Sequence, residues 1–244
     1  MRILSVLASF LSVVFATAPE AQNGSARPFE VGEHAIYKVS YLFASGSASM
    51  TVVGIDTVRG RGAYHFRFVM SGRAAGLYSL QDTLDSWVDT ATFHTLRFHQ
   101  NQIENGRTRA HEYEIFADRQ VFSDFGRELQ PSVAAPLDDV SLLYFVRGVD
   151  LVPGQTRELH RYFKPASNPV LLRVIGRDTI TVEAGRYPAI VVQPIIKSRS
   201  GLFTEAAGAR VWFSDDSARI VLQIKARMPA FGTLTMQLRS YRAR

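Results

Sequence analysis

The chain has 244 residues, of which 46% are apolar and 20% charged, with a formal net charge of +6 and no cysteine. Without cysteine there are no disulfides and no thiolate metal sites, so burial of apolar surface has to hold the fold. The cations are scattered instead of gathered into a stripe, which argues against nucleic acid as a partner; the excess charge is accounted for most simply by a solvated basic surface, and it also suits anionic lipid headgroups or other acidic envelope polymers.

Met1-Arg2, an apolar run over 3–15 and Ala16-Thr17-Ala18 have the layout of a cleaved export signal. The expected organisation is a signal peptide at 1–18, a polar leader at 19–28 and one β-rich domain at 29–244. The mature chain is expected to be soluble and either periplasmic or secreted. No later stretch reaches about 18 uninterrupted apolar residues, so it is not expected to span a membrane. The cysteine that a bacterial lipoprotein anchor needs is missing.

From His34 the pattern has period two, with Tyr37, Val39, Tyr41 and Phe43 on one face. A two-residue loop at Ser45-Gly46 would set Tyr41 opposite Met50 and Val39 opposite Val52, keeping an apolar face apolar. Gly60-Arg61-Gly62 turns the chain into a third strand, giving a meander. The stretch 76–89 has two readings. Leu77, Leu80, Leu84, Trp87 and Val88 fit a helical stripe, whereas Tyr78, Leu80, Leu84 and Val88 fit one face of a strand.

Asn105-Gly106 is a type I′ turn signal between two alternating runs. It pairs Phe98 with Tyr113, Gln100 with His111 and Gln102 with Arg109 on one face. Arg97 then faces Glu114, and His99 faces Glu112, on the other face, where opposite charges pin the register. His99 and His111 therefore point to opposite sides, which argues against a shared metal.

The stretch 136–148 reads as the chain's one helix, at about 137–147. Asp138 or Asp139 can cap its start, Arg147 complements its negative end, and Gly148 suits a left-handed stop. Val140, Leu142, Leu143, Tyr144, Phe145 and Val146 leave almost no polar side, so the helix wants burial all round. Strands follow at 155–162, 170–178, 178–182 after a bend, 189–198, 209–214, 220–228 and 233–241. One short apolar helix among so many strands predicts a mainly β fold: a strongly curved antiparallel sheet or open β-barrel wrapped around that helix.

Several phrases carry a family resemblance. They are Tyr37-Lys38-Val39-Ser40-Tyr41 with Gly46, the run from Pro136 to Tyr144 with Arg147, and Val182-Glu183-Ala184-Gly185. Trp212 and Asp215-Asp216 with Arg219-Ile220 follow, and then Met228-Pro229-Ala230-Phe231-Gly232. In that order the chain resembles the exported bacterial family named domain of unknown function 3108 (DUF3108). The resemblance implies a periplasmic, mostly β protein, supplies no activity, and favours an extended conformation for 76–89. Ala230 departs from the family pattern, in which proline runs straight into an aromatic.

The six histidines lie on separate strands without a His-Glu-x-x-His spacing, and no serine sits in a Gly-x-Ser-x-Gly elbow. No enzymatic activity and no cofactor are therefore expected. Asp138-Asp139 and Asp215-Asp216 each admit a cation, but helix capping and turn chemistry account for them more simply. Arg147 is either a structural ion pair or a clamp for an anionic headgroup at a cavity mouth. Tyr41, Tyr144, Phe145 and Trp212 are either core or the lining of that cavity. The sequence-based expectation is a non-enzymatic carrier or binding protein for a lipid or other amphiphile in the cell envelope. The alternative is an envelope assembly or protein-interaction module with a fully packed barrel and no small ligand.

Overall fold

Buried and exposed side chains alternate along most of the strands, and the buried set from almost all of them converges on one interior. This computed structural model describes residues 27–74, 78–199, 201–228 and 232–243. The first half is a continuous meander of β1 (His34–Tyr41), β2 (Ala44–Val58), β3 (Arg61–Ala74), β4 (Tyr78–Asp89), β5 (Thr95–Glu104), β6 (Arg107–Phe116), β7 (Val121–Asp124) and the two-residue β8 (Gln130–Pro131). After α1 (Asp139–Arg147) come β9 (Thr156–Leu159), β10 (Val170–Val182), β11 (Gly185–Ile195), β12 (Arg210–Ser214), β13 (Val221–Arg227) and β14 (Thr233–Arg242).

All fourteen strands lie in one sheet, in the order β8-β7-β6-β5-β4-β3-β2-β1-β14-β13-β12-β11-β10-β9. Every neighbouring pair is antiparallel, and the two halves of the chain meet at β1 and β14. The sheet curls without closing, since its edge strands β8 and β9 do not pair with each other. The segment leading into α1 bridges that seam instead. Leu137 makes a parallel bridge to Tyr162, donating its N–H to the Arg161 carbonyl at 2.5 Å and accepting from the Phe163 N–H at 2.9 Å. Register shifts at Ile36/Tyr37, Val52/Gly54, Trp87/Val88, Val174/Gly176 and Trp212/Phe213 add local twist, as bulges do.

Helix α1 lies inside the curl. Val140, Leu142, Leu143, Tyr144 and Val146 are all buried and join the same core as Phe66, Phe98, Phe163 and Leu222. The 105–106 hairpin has the register read from its alternation, with Phe98 opposite Tyr113, Gln100 opposite His111, and Arg97 opposite Glu114. Asn105 and Gly106 both take positive φ, +49° and +76°. The stretch 78–89 is extended, in agreement with the strand reading; Gly76 and Leu77 lie outside the described residues.

Three expectations are corrected. The β1–β2 turn sits at Leu42-Phe43, with Tyr41 opposite Ala44 and Val39 opposite Gly46, and not at Ser45-Gly46. Gly46 is needed for close strand approach: a Cβ there would lie 2.0 Å from the Ser71 carbonyl oxygen. The bend placed at Asp178 is an irregularity at Ile175 within one unbroken strand. Gly148 ends the helix in the right-handed region, φ −91° and ψ −1°, because its N–H bonds the Phe145 carbonyl and the Val149 N–H bonds the Val146 carbonyl without any left-handed reversal. The expected signal peptide at 1–18, the expected leader up to residue 26 and Ala230 lie outside the described residues.

These two glycines predict opposite outcomes in urea denaturation. Gly46→Ala forces β2 and β3 apart and should cost about 1–3 kcal/mol, the usual scale of overpacking. At Gly148 the nearest atom to an added Cβ is the Phe145 oxygen at 3.6 Å, an ordinary contact. Gly148→Ala should therefore change stability by no more than about 0.5 kcal/mol.

Candidate functional site

A helix with no polar side leaves its polar groups at its two ends, and the chemistry of the interior gathers there. At the N-terminus Asp138 caps α1. Its Oδ1 accepts the N–H groups of Val140 (2.8 Å) and Ser141 (3.0 Å), while its Oδ2 accepts the Ser86 (2.6 Å) and Thr95 (2.7 Å) hydroxyls. Ser141 Oγ accepts the Asp138 N–H in return, closing a capping box. Burial pushes the Asp138 carboxyl up, against the four donors that favour its charged form.

Asp139 faces a second set of groups. Tyr162 donates to its Oδ1 at 3.1 Å and Gln100 to its Oδ2 at 3.4 Å. Burial, followed by the neighbouring Asp138 charge, raises its pKa to about 6. Lys164 donates to the Tyr113 hydroxyl at 2.9 Å, and burial lowers the lysine's own pKa. Further along the inner face, His111 pairs with Asp124 at 2.7 Å, and Gln102 donates to Asp82 at 3.3 Å. Asp82 is buried, its pKa is pushed up by desolvation, and its other oxygen has no partner among the described residues.

At the C-terminus Arg147 is only 4% exposed, and so is its partner Glu33. The guanidinium makes a bidentate pair with Glu33, Nη1 to Oε1 at 2.6 Å and Nη2 to Oε2 at 2.9 Å. It also donates to the carbonyls of Pro28 (2.5 Å) and Ala218 (3.0 Å), and Tyr241 donates to Glu33 at 3.0 Å. Four of the five N–H groups of Arg147 are thereby used by the protein itself.

The residues named from sequence do not form one lining. Tyr144 lies beside Arg147, 5.4 Å from ring centroid to guanidinium carbon, and stacks on Phe66 at 4.0 Å. Its hydroxyl is buried without a partner among the described residues. Phe145 points elsewhere, towards Phe93 and under Arg161. Trp212 donates to Asp178 at 2.9 Å and carries Lys225 over its ring, while Tyr41 packs against the core near Gly232. Asp216 accepts from Ser214 Oγ and the N–H groups of Ala218 and Arg219 within its own turn, and Asp215 pairs with Arg177 at 2.9 Å. Sequence reading missed Glu33, Asp82 and the Tyr162–Lys164 side of the Asp139 cluster. Glu33 is 114 positions from Arg147, so no local spacing links them; the only available signal was that a buried arginine requires a carboxylate.

Two hollows open on the surface. One of about 440 Å³ lies beyond the helix C-terminus and is walled by Arg147, Asp150, Asp215, Asp216 and Arg219. The other, of about 590 Å³, runs along the small residues Ser45, Ser47 and Ser71 of β2 and β3, flanked by Arg73 and Gln81. The first has mainly polar walls, whereas Leu80 and Ile103 give the second a mixed lining. Among the described residues no helix is long and apolar enough to cross a membrane.

An open antiparallel sheet curled over a capped, ion-paired helix defines a β-barrel-like protein whose interior is occupied by its own chain. Residues 36–239 match the family described as "Protein of unknown function (DUF3108)", and the chain belongs to that family. Its fold is similar to that of the beta-barrel-like protein of domain of unknown function DUF1849 from Brucella abortus. That likeness has a TM-score of 0.62 at 9% identity, over 88% of this chain and 99% of that one. A looser likeness, with a TM-score of 0.37 at 9% identity over 88% of each chain, is to the hypothetical protein CT021 from Chlamydia trachomatis. No curated protein matches the chain.

Replacing Arg147 with Met leaves the Glu33 charge buried alone and should cost about 3–5 kcal/mol, read by urea denaturation. The double variant Glu33→Leu/Arg147→Met should be less destabilised than Arg147→Met. At the other end, Asp139 keeps its proton in the folded state up to about pH 6, whereas the unfolded chain loses it near pH 4. The folded state then binds more protons, so Asp139 makes stability fall as pH rises from about 4 to 6. Asp139→Asn should flatten that part of the stability–pH curve.

Proposed function

We propose that this is an exported, non-enzymatic binding protein of the cell envelope that acts through its surface and encloses no apolar ligand. The observation that carries this reading is the bidentate Arg147–Glu33 pair at the end of the buried helix. Arg147 is the side chain best suited to clamp an anionic headgroup, and four of its five N–H groups are already engaged. A carrier of this build needs an apolar concavity between sheet and plug. Here α1 and the strands contribute to one continuous core, and the hollow beside Arg147 is walled mainly by polar and charged side chains. The packed-barrel reading is therefore better supported than the carrier reading.

Export rests on the sequence layout of residues 1–18, and the non-enzymatic assignment on the state of the polar clusters. Both Asp138 oxygens are committed to capping and to Ser86 and Thr95, and those two hydroxyls are fully buried, out of reach of a substrate.

The mature form, Pro19 to Arg244, expressed in a bacterial periplasm and weighed under native conditions, should show the bare polypeptide mass and yield no lipid on extraction. A stoichiometric adduct lost on denaturation and extractable as lipid would replace this reading with the carrier one.

A further inference from the structure

Building on the surface-acting reading, we propose that the barrel rim around the β1–β2 turn docks on an anionic phospholipid surface. Phe43 at the tip of that turn is 99% exposed and Leu42 is 56% exposed. Leu42 takes φ +50°, a left-handed conformation that a leucine rarely adopts. The turn thus holds two large apolar side chains out beyond the ends of the strands. It is braced from behind, since Gly232 of the β13–β14 turn packs so closely on Leu42 that a Cβ would sit 2.7 Å from its Cδ2.

The surroundings of this tip carry an excess of positive charge. Arg73 on β3 is in register with Ser45, two residues past Phe43. Arg227 on β13 is in register with Thr233 of β14, the strand on the other side of β1. Lys197 and Arg199 belong to the β11–β12 connection, whose Ala207 carbonyl accepts the Arg227 N–H at 2.8 Å. All four are exposed, and none forms an ion pair with a described residue. Glu104 and Glu205 are the exposed carboxylates near these strand ends.

At the opposite rim Arg119, Arg186 and Arg242 are likewise exposed without an ion pair to a described residue, but several other cations there are matched. Arg59 pairs with Glu114, Arg61 with Asp89 (2.7 Å), Arg177 with Asp215 (2.9 Å) and Arg239 with Glu183 (3.4 Å). What sets the first rim apart is that its unpaired cations stand around a protruding aromatic, Phe43. That combination fits an interface in which phosphate groups meet guanidinium and ammonium groups while the ring enters the acyl boundary. A single short turn gives weak, reversible attachment.

The test uses the mature protein and co-sedimentation with large vesicles, either of phosphatidylcholine alone or with about one third phosphatidylglycerol. Binding should require the anionic lipid and weaken as salt rises. Arg73→Ser or Arg227→Ser should each reduce it about five-fold. Phe43→Ser should reduce it about ten-fold, with the thermal melt unchanged because the side chain is exposed. Equal binding to both vesicle types, no binding to either, or unchanged binding of Phe43→Ser would overturn the proposal. So would a sedimentation-velocity result in which Phe43→Ser dissociates a dimer without altering vesicle binding, because the tip would then be a self-association site. An internal lipid found by native mass measurement would refute the packed-barrel reading yet leave the vesicle result standing, so the two failures are separable.

Discussion

The structure depends on neutralising the two ends of a helix placed inside a sheet. A nine-residue helix has too few backbone hydrogen bonds to be stable alone, so α1 exists because the sheet buries it. Burial in turn makes its first-turn N–H groups and its terminal arginine costly unless each finds a partner. Asp138 meets the first requirement from within the chain's own local sequence. It also reaches outward to Ser86 and Thr95, so the cap fixes the helix to β4 and β5. Glu33 meets the second from the approach to β1, where Tyr241 of β14 donates to the same carboxylate. The two ends therefore tie the helix to both halves of the chain, one through the meander and the other through the junction of β1 and β14.

This arrangement explains what could be read in the sequence. Period-two alternation, the Asn105-Gly106 turn and the Asp138 cap are local signals, written within a dozen residues, and each corresponds to an element of the fold. The β1–β2 turn was misplaced because Gly46 has two possible uses. A glycine in a small-residue run looks like a turn, but here it permits β2 to approach the Ser71 carbonyl of β3, and β3 begins fifteen residues beyond it. Gly148 misled in a similar way: at a helix end it suggests a left-handed stop, yet nothing in its right-handed geometry requires glycine. The Arg147–Glu33 pair and the Asp139–Tyr162–Gln100 group were not legible at all, since they are made by strand order, and strand order is not a local property.

The same geometry bears on where the protein can act. A curled sheet without a plug would offer its concave face, but that face is taken by α1 and by the chain that bridges Leu137 to Tyr162. What remains is the outer face, the seam and the two rims. The outer face presents salt-bridged ladders such as Arg97 and Arg59 on Glu114, which are register devices more than contact surfaces. At the seam, β8 is only two residues long and ends in Pro131, which blunts it as a template for strand addition. The rims are therefore the surfaces least committed to holding the fold together. Of the two, the one bearing Phe43 sets unmatched charges around a fully exposed ring, and unmatched charge beside an exposed ring is a feature that folding alone does not require.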